Sequence, residues 1–110
     1  MYKIIEVESE VGNEILQVVG NGILINVAKW SSPALLIKNI IVNLMPELNV
    51  EKLIIIDHDK SHKFQRQFSD NGKAKCNGWC DVFIVKNGII VNGVHKLQPN
   101  KEAVKAWISG

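Results

Sequence analysis

Two cysteines, Cys76 and Cys80, lie four residues apart, a spacing at which thiols are candidates for redox chemistry. Fully extended, the segment would separate them by roughly 13 Å, too far for a disulfide, but Asn77-Gly78 favours a turn that would bring the sulfur atoms together. Lys73 and Lys75 favour the thiolate of Cys76, whereas an acidic residue directly follows the second cysteine. The alternatives are therefore a redox pair, with Cys76 as nucleophile and Cys80 as resolving thiol, or two ordinary thiols in a loop.

Two histidines raise a different possibility, a metal site. His58 and His62 lie four residues apart in a segment predicted to be helical, so they would share one face. Combined with Cys76 and Cys80 they supply four nitrogen and sulfur ligands, the number that structural zinc requires. The alternative is that both histidines are exposed helix residues. No other cofactor is indicated, and His95 is expected at a sheet edge.

Serines and tryptophans surround the start of a long apolar segment. Ser31 or Ser32 suits the N-cap of a helix, and Pro33 suits its first turn, where no N–H is needed. The same serines could instead bind an anion at the helix N-terminus. Trp30 and Trp79 are each either an exposed aromatic anchor for a protein partner or a side chain packed over the core.

Hydrophobic periodicity predicts strands and helices in alternation. The predicted strands are 1–7, 22–28, 53–57, 82–85 and 89–91, and the predicted helices are 11–19, 35–48, 58–68 and a terminal helix from Pro99. Asn87-Gly88 between two β-rich runs is a strong hairpin signal. The order β-α-β-α-β-α-β-β-α predicts an α/β fold, a central mixed β-sheet with helices on both faces. Helix 35–48 is apolar on most of its circumference, so it is buried against its own sheet or covers a second copy.

Length and composition restrict the class of protein. A chain of 110 residues fits one domain spanning 1–110, with enough apolar content at 46% to form a core without staples. The formal net charge of +2 is too small to indicate nucleic acid binding. No apolar run has the length of a membrane span, and two cysteines are not a disulfide framework, so we expect a cytoplasmic protein without membrane contact. It is expected to be a monomer or a weak homodimer.

Two motifs resemble the thioredoxin superfamily. Trp30 followed by Ser-Ser-Pro-Ala (31–34) and a long helix is similar to the thioredoxin Trp, Cys-Gly-Pro-Cys and second helix. Val85-Lys86-Asn87-Gly88 is similar to the thioredoxin hairpin sequence Phe-Lys-Asn-Gly, and it is followed by a terminal helix as in that family. The two motifs lie at the separation that the family would have. The resemblance therefore implies a three-layer thioredoxin-like fold over the whole chain.

The resemblance also shows departures from the family's chemistry. The two cysteine positions correspond to Ser31 and Ala34, the buried acid of the preceding strand to Ile25, and the cis-proline before the hairpin to Cys80. A thiolate at the helix N-terminus and a second, resolving thiol are both required for dithiol exchange. The resemblance thus implies a divergent member with a degenerate active site.

Three functions follow from these observations. The first is a protein-interaction module that binds an unidentified protein through the degenerate corner and its tryptophans, within cell redox homeostasis. The residues of that surface are Trp30, Ser31, Ser32, Pro33, Ala34 and Trp79. The second is an atypical thiol-disulfide oxidoreductase that uses Cys76 and Cys80, and the third is a small zinc-binding domain.

Overall fold

A computed structural model gives the arrangement of the chain, and it describes residues 2–10, 12, 14–60, 80–95 and 97–109, with the backbone alone for Cys80 and His95. The strands are β1 (Lys3–Val7), β2 (Gly22–Val27), β3 (Lys52–Asp57), β4 (Cys80–Lys86) and β5 (Ile89–His95). The helices are α1 (Ile15–Val19), α2 (Ser32–Leu44) and α3 (Lys101–Ser109), and a short 3-10 turn covers Met45–Glu47. No helix within the described ranges is long and apolar enough to cross a bilayer.

The five strands form one mixed sheet in the order β1-β3-β2-β4-β5. β3 pairs in parallel with both β1 and β2, whereas β4 pairs antiparallel with β2 and β5. This confirms the predicted fold class, a mixed sheet: the strand–helix alternation predicted the parallel pairs, and the hairpin predicted the antiparallel pair β4–β5. β5 is an edge strand, so its last residue, His95, lies at the sheet edge as predicted.

Each face of the sheet carries its own apolar core. The buried side chains of α2 pack with alternate residues of β2 and with Val104 of α3 on one face. On the other face, α1 packs over the remaining residues of β2, β3 and β4, including Leu24 and Phe83. β3, and β2 apart from Asn26, consist mainly of apolar residues because strands inside a sheet are covered on both sides. Burial of α2 against its own sheet confirms that alternative for the apolar helix.

α2 ends earlier than the predicted 35–48. Its α-helical bonding stops at Leu44, and the chain continues as the 3-10 turn that contains Pro46. Proline has no N–H, and its ring clashes with the carbonyl four residues earlier, so the α-helix cannot continue through it. The N-terminal prediction is confirmed, since Ser31 is the N-cap and Pro33 lies in the first turn.

α1 is shorter than the predicted helix 11–19. It begins at Ile15, and Glu14 directly before it is in a turn, where the N–H of Ile15 donates to the carbonyl of Gly12 at 3.1 Å. The N–H of Gly12 donates to the Glu14 carboxylate at 3.0 Å. A glycine is conformationally free and costs a helix about 1 kcal/mol relative to alanine, which favours the turn. Val11 and Asn13 lie outside the described residues.

The helix predicted over 58–68 does not begin at its first residue. Residues 58–60 form a turn, in which the N–H groups of Asp59 and Lys60 donate to the side chain and the carbonyl of Asp57, respectively. An aspartate that accepts from the N–H two residues later stabilises such a turn, as an alternative to a continuous helix. Residues 61–68 lie outside the described ranges.

The hairpin between β4 and β5 has the backbone that its sequence predicts. Asn87 and Gly88 have φ values of 53° and 75°, a left-handed pair that only Gly and Asn adopt readily. The hairpin docks on the loop between α1 and β2, since Gly88 N donates to Gly20 O at 2.9 Å and Asn87 N to Asn21 Oδ1 at 3.1 Å.

Candidate functional site

The corner between β2 and α2 is built by the cap of the helix. Ser31 has an extended backbone, with φ −99° and ψ 113°, and its hydroxyl oxygen accepts from the N–H of Ala34 at 3.3 Å. The Ser31 N–H in turn donates to the carbonyl of Ala28 at 3.0 Å. These bonds fix the angle at which the chain leaves the sheet and satisfy one of the free N–H groups of the first helical turn.

Only part of the corner is accessible. Ser31 is 5% exposed and Ala34 is fully buried in the α2 core, whereas Ser32 and Pro33 are exposed. Leu36 is also exposed, and it lies three residues after Pro33 on the same side of the helix. A molecule that approaches the corner therefore meets Ser32 and Pro33 but not the cap residue.

Trp30 is the most prominent side chain at the corner. It is 64% exposed, more than any other large apolar side chain in the described part of the chain. Its indole N–H donates to Asp59 Oδ1 at 3.2 Å, a contact with the turn that follows β3. This bond restricts the orientation of the ring, so a large apolar surface is displayed in a defined position.

Cys80 lies beside the corner in the backbone. It is the first residue of β4 and the cross-strand neighbour of Val27, the last residue of β2. The backbone of Cys80 therefore lies opposite the end of β2, three residues before Trp30, and its predicted place in the site stays a prediction. The other members of the proposed redox pair, zinc site and aromatic surface are Cys76, His62 and Trp79, and they lie outside the described residues. The redox pair and the zinc site stay predictions, and no cluster of three potential metal ligands occurs among the residues described.

A buried polar network lies under the corner, and the sequence did not predict it. Asn26 and Asp81 are both fully buried cross-strand neighbours, and Asn26 Nδ2 donates to Asp81 Oδ2 at 3.3 Å. The same Asn26 nitrogen lies 3.1 Å from His58 Nδ1, and because an amide nitrogen only donates, this ring nitrogen accepts. His58 is thus half-buried and hydrogen-bonded rather than an exposed helix residue. Asn26 interrupts an apolar strand, which is the signal that could have revealed it.

Charged side chains surround the end of the parallel strands next to the corner. Lys29 donates to Glu8 Oε1 and lies 3.8 Å from the buried carboxylate of Asp57. The hydrogen bond from Lys29 lowers the pKa of the Glu8 carboxyl, and the same bond raises the pKa of Lys29. A cavity of about 30 Å³ lies beneath this ion pair, enough for about one water molecule. It is therefore too small to hold a substrate.

Known proteins match this chain in structure rather than in sequence. No family model matches the sequence, and no curated protein matches it. Solved structures do match: the reduced thioredoxin pre-protein of Schistosoma mansoni has a TM-score of 0.74 at 19% identity, covering 97% of this chain and 96% of that chain. A mutant thioredoxin from Halobacterium salinarum has a TM-score of 0.67 at 20% identity, over 94% of this chain and 88% of that chain. The chain has the thioredoxin fold.

A thioredoxin of lower sequence identity also matches the structure. Mitochondrial thioredoxin 3 of Saccharomyces cerevisiae matches over 92% of both chains with a TM-score of 0.65, although the identity is 11%. What these matches share with the chain is the overall backbone arrangement. Inside this thioredoxin fold, Ile25 is fully buried in the core beneath α2. Ile25 lies on β2, whereas the buried carboxylate of Asp81 lies on the neighbouring strand β4.

Proposed function

We propose that this thioredoxin-fold chain acts by binding another protein through the corner, without dithiol chemistry there. Trp30 is the anchor of the contact surface, and the exposed Ser32, Pro33 and Leu36 extend it along the first turns of α2. The observation that carries the proposal is the 64% exposure of Trp30, directly before the N-cap Ser31, whose hydroxyl is engaged in capping the helix.

The chemistry of the corner supports binding rather than exchange. The Ser31 hydroxyl oxygen accepts from the Ala34 N–H, and the residue as a whole is buried. A serine hydroxyl becomes a nucleophile only with an adjacent base, and an alanine methyl cannot resolve a mixed disulfide. If the corner corresponds to the dithiol corner of thioredoxins, then the position of the buried acid is Ile25, which has no proton to exchange.

The geometry of Trp30 supports a binding role on energetic grounds. Tryptophans are enriched among the residues that dominate protein–protein binding energy. The hydrogen bond from the Trp30 indole to Asp59 already restricts the ring in the free protein, so less side-chain entropy is lost when a partner binds. The nearby Lys29 and Glu8 are paired with each other, which leaves an apolar centre with a charged margin.

Site-specific photocrosslinking tests the proposal. A photoreactive phenylalanine analogue placed at Leu36, which is 48% exposed on the proposed surface and leaves Trp30 in place, is expected to give a discrete adduct with a partner protein in an extract. The matched control is the same analogue at Val91, an apolar side chain with 54% exposure on the edge strand β5. Excess unlabelled parent chain should suppress the adduct, whereas excess chain with Trp30→Ala should not.

Two outcomes would contradict the proposal. One is an adduct pattern from the analogue at Leu36 that equals the pattern at Val91, and the other is equal competition by the parent and the Trp30→Ala chains. Asp59→Asn provides a refinement, since the amide still offers an oxygen to the indole N–H. That variant should compete nearly as well as the parent, whereas Asp59→Ala should compete less well because the ring is no longer oriented.

A further inference from the structure

Asn-Gly pairs recur in this chain in nearly identical local sequences. Within the described residues they are Asn21-Gly22-Ile23, Asn87-Gly88-Ile89 and Asn92-Gly93-Val94. Glycine has no Cβ, so the backbone nitrogen after the asparagine is unshielded and the backbone is free to bring that nitrogen to the side-chain amide. Each pair is followed by a β-branched residue, and all three asparagines are exposed. Neither local sequence nor exposure therefore distinguishes them.

Hydrogen bonding does distinguish the three pairs. The Gly93 N–H donates to the side-chain oxygen of Asn92 at 2.9 Å, which places the nitrogen beside the amide carbon Cγ. The Gly88 N–H instead donates to Gly20 O at 2.9 Å, so it is directed away from its own asparagine. The Asn21 side-chain oxygen accepts from the Asn87 N–H at 3.1 Å, so that side chain is held across the hairpin loop.

We propose that, among these three pairs, Asn92 is the site of spontaneous deamidation in the folded chain. Gly93 N attacks Asn92 Cγ, so the N–Cγ bond forms and the Cγ–Nδ2 bond breaks. The side-chain nitrogen leaves as ammonia, together with the proton that Gly93 N loses, and a cyclic succinimide remains. Water then adds to either carbonyl of the ring, and opening gives aspartate or isoaspartate. No oxidant or reductant takes part, since water is the only co-reactant.

The position of Asn92 makes the modification compatible with the fold. Asn92 lies in the edge strand β5, next to the irregularity where the pairing with β4 shifts between Ile84 and Val85. Ring closure needs local backbone movement, which an edge strand with one neighbour permits more readily than β2, which has two. The product places a carboxylate on a strand whose sequence contains no Asp, Glu, Lys or Arg. Charge on an edge strand disfavours pairing with another chain.

Peptide mapping of the aged protein tests this proposal. The folded chain is incubated in mildly alkaline buffer and digested with trypsin, which releases residues 87–96 as one peptide carrying both Asn87 and Asn92. Fragmentation assigns the mass gain to one asparagine, and labelling by an isoaspartyl methyltransferase confirms the product. We expect conversion at Asn92 to be about fivefold faster than at Asn87 or Asn21, the factor for one competing hydrogen bond of about 1 kcal/mol.

Denaturation supplies the matched control. In concentrated urea the native hydrogen bonds are lost, and the three similar local sequences should convert at rates within about twofold of each other. Asn92→Gln should remove the reaction at that position, because the longer side chain does not close the five-membered ring. Equal or faster conversion at Asn87 or Asn21 in the folded chain would overturn the proposal, as would the same rate advantage for Asn92 in urea.

Discussion

The corner at residues 30–34 and the hairpin at residues 85–88 both carry the resemblance to thioredoxins, but the backbone constrains them differently. At the hairpin, Asn87 and Gly88 have positive φ, which most side chains adopt only with strain. At the corner, Ser31 has an ordinary extended backbone that any L-residue adopts. The hairpin geometry therefore restricts the residue type, whereas the corner geometry does not.

This difference bears on a thioredoxin fold whose corner, residues 31–34, contains no cysteine. A side chain at Ser31 must cap the helix, which is a modest requirement, and the residue at Ala34 must fit a buried position. Neither requirement selects for sulfur. The chemistry of the corner can therefore change while the strand, the turn and the helix stay in place, and four predictions follow that challenge or refine this comparison.

The largest expected effect is a gain of activity. The double variant Ser31→Cys and Ala34→Cys, made in a Cys76→Ser background, should form a disulfide in oxidising glutathione. With dithiothreitol as the reductant it should precipitate insulin roughly tenfold faster than dithiothreitol with the parent chain, because a helix N-terminus stabilises a thiolate. Ser31→Cys alone is the control and should form a mixed disulfide with glutathione without catalysing insulin reduction. A double variant that stays reduced in oxidising glutathione, with its fold intact by circular dichroism, would mean that the corner is not a dithiol scaffold.

Substitutions at the hairpin glycine should lower the free energy of unfolding more than substitutions at the corner. Gly88→Ala should lower the free energy of unfolding by about 1–2 kcal/mol, since the residue has a left-handed backbone. An added Cβ would also lie 2.6 Å from the Gln17 side-chain nitrogen, which must move. Asn87→Gly is the matched control and should be neutral or slightly stabilising, because glycine adopts φ 53° without strain. Urea unfolding measures both, and an unchanged midpoint for Gly88→Ala would contradict the comparison.

At the corner, only the cap should matter for stability. Ser31→Ala removes the acceptor of the Ala34 N–H and should cost about 1 kcal/mol of unfolding free energy. Ser32→Ala, one residue later and exposed, should change stability by about half that amount or less. The two variants differ only in the lost cap. Equal unfolding midpoints would show that the hydroxyl of Ser31 has a different role.

The smallest expected effect comes from a contact remote from both regions. Glu47 accepts hydrogen bonds from Lys105 and Lys101 of α3, which lower the pKa of its carboxyl. A carboxyl whose pKa is lower in the folded state contributes stability above its unfolded pKa and loses it as the pH falls through the folded value. Glu47→Gln should therefore be slightly less stable than the parent at neutral pH. The difference should disappear in acid, and a pH-independent difference would exclude this ion pair as its cause.

The sequence predicted the features that depend on neighbouring residues. A serine cap at residue 31 or 32, Pro33 in the first turn and Asn87-Gly88 as hairpin each follow from local backbone preferences, and the structure identifies Ser31 as the cap. The sequence did not predict that α2 stops at Leu44, although Pro46 carried the signal. The apolar periodicity continues past Pro46, although the missing N–H of this proline ends the α-helix.

The buried network could not be predicted because its members are distant in the chain. Asn26 and Asp81 become neighbours only through the register of β2 with β4, 55 residues apart in sequence, and His58 joins them from the turn after β3. Local patterns fix which segments are strands but not which polar side chains on them face each other. The roles predicted for Cys76, His62 and Trp79 stay predictions, because those residues lie outside the described part of the chain.

Reduction of insulin disulfides by the unmodified chain, with dithiothreitol as reductant, tests the proposed function most directly. We predict that the chain does not accelerate insulin precipitation above the rate with dithiothreitol alone, because the corner holds a capping serine and a buried alanine. Acceleration that disappears with Cys76→Ser would contradict this prediction and assign the chain a dithiol mechanism based on Cys76 and Cys80.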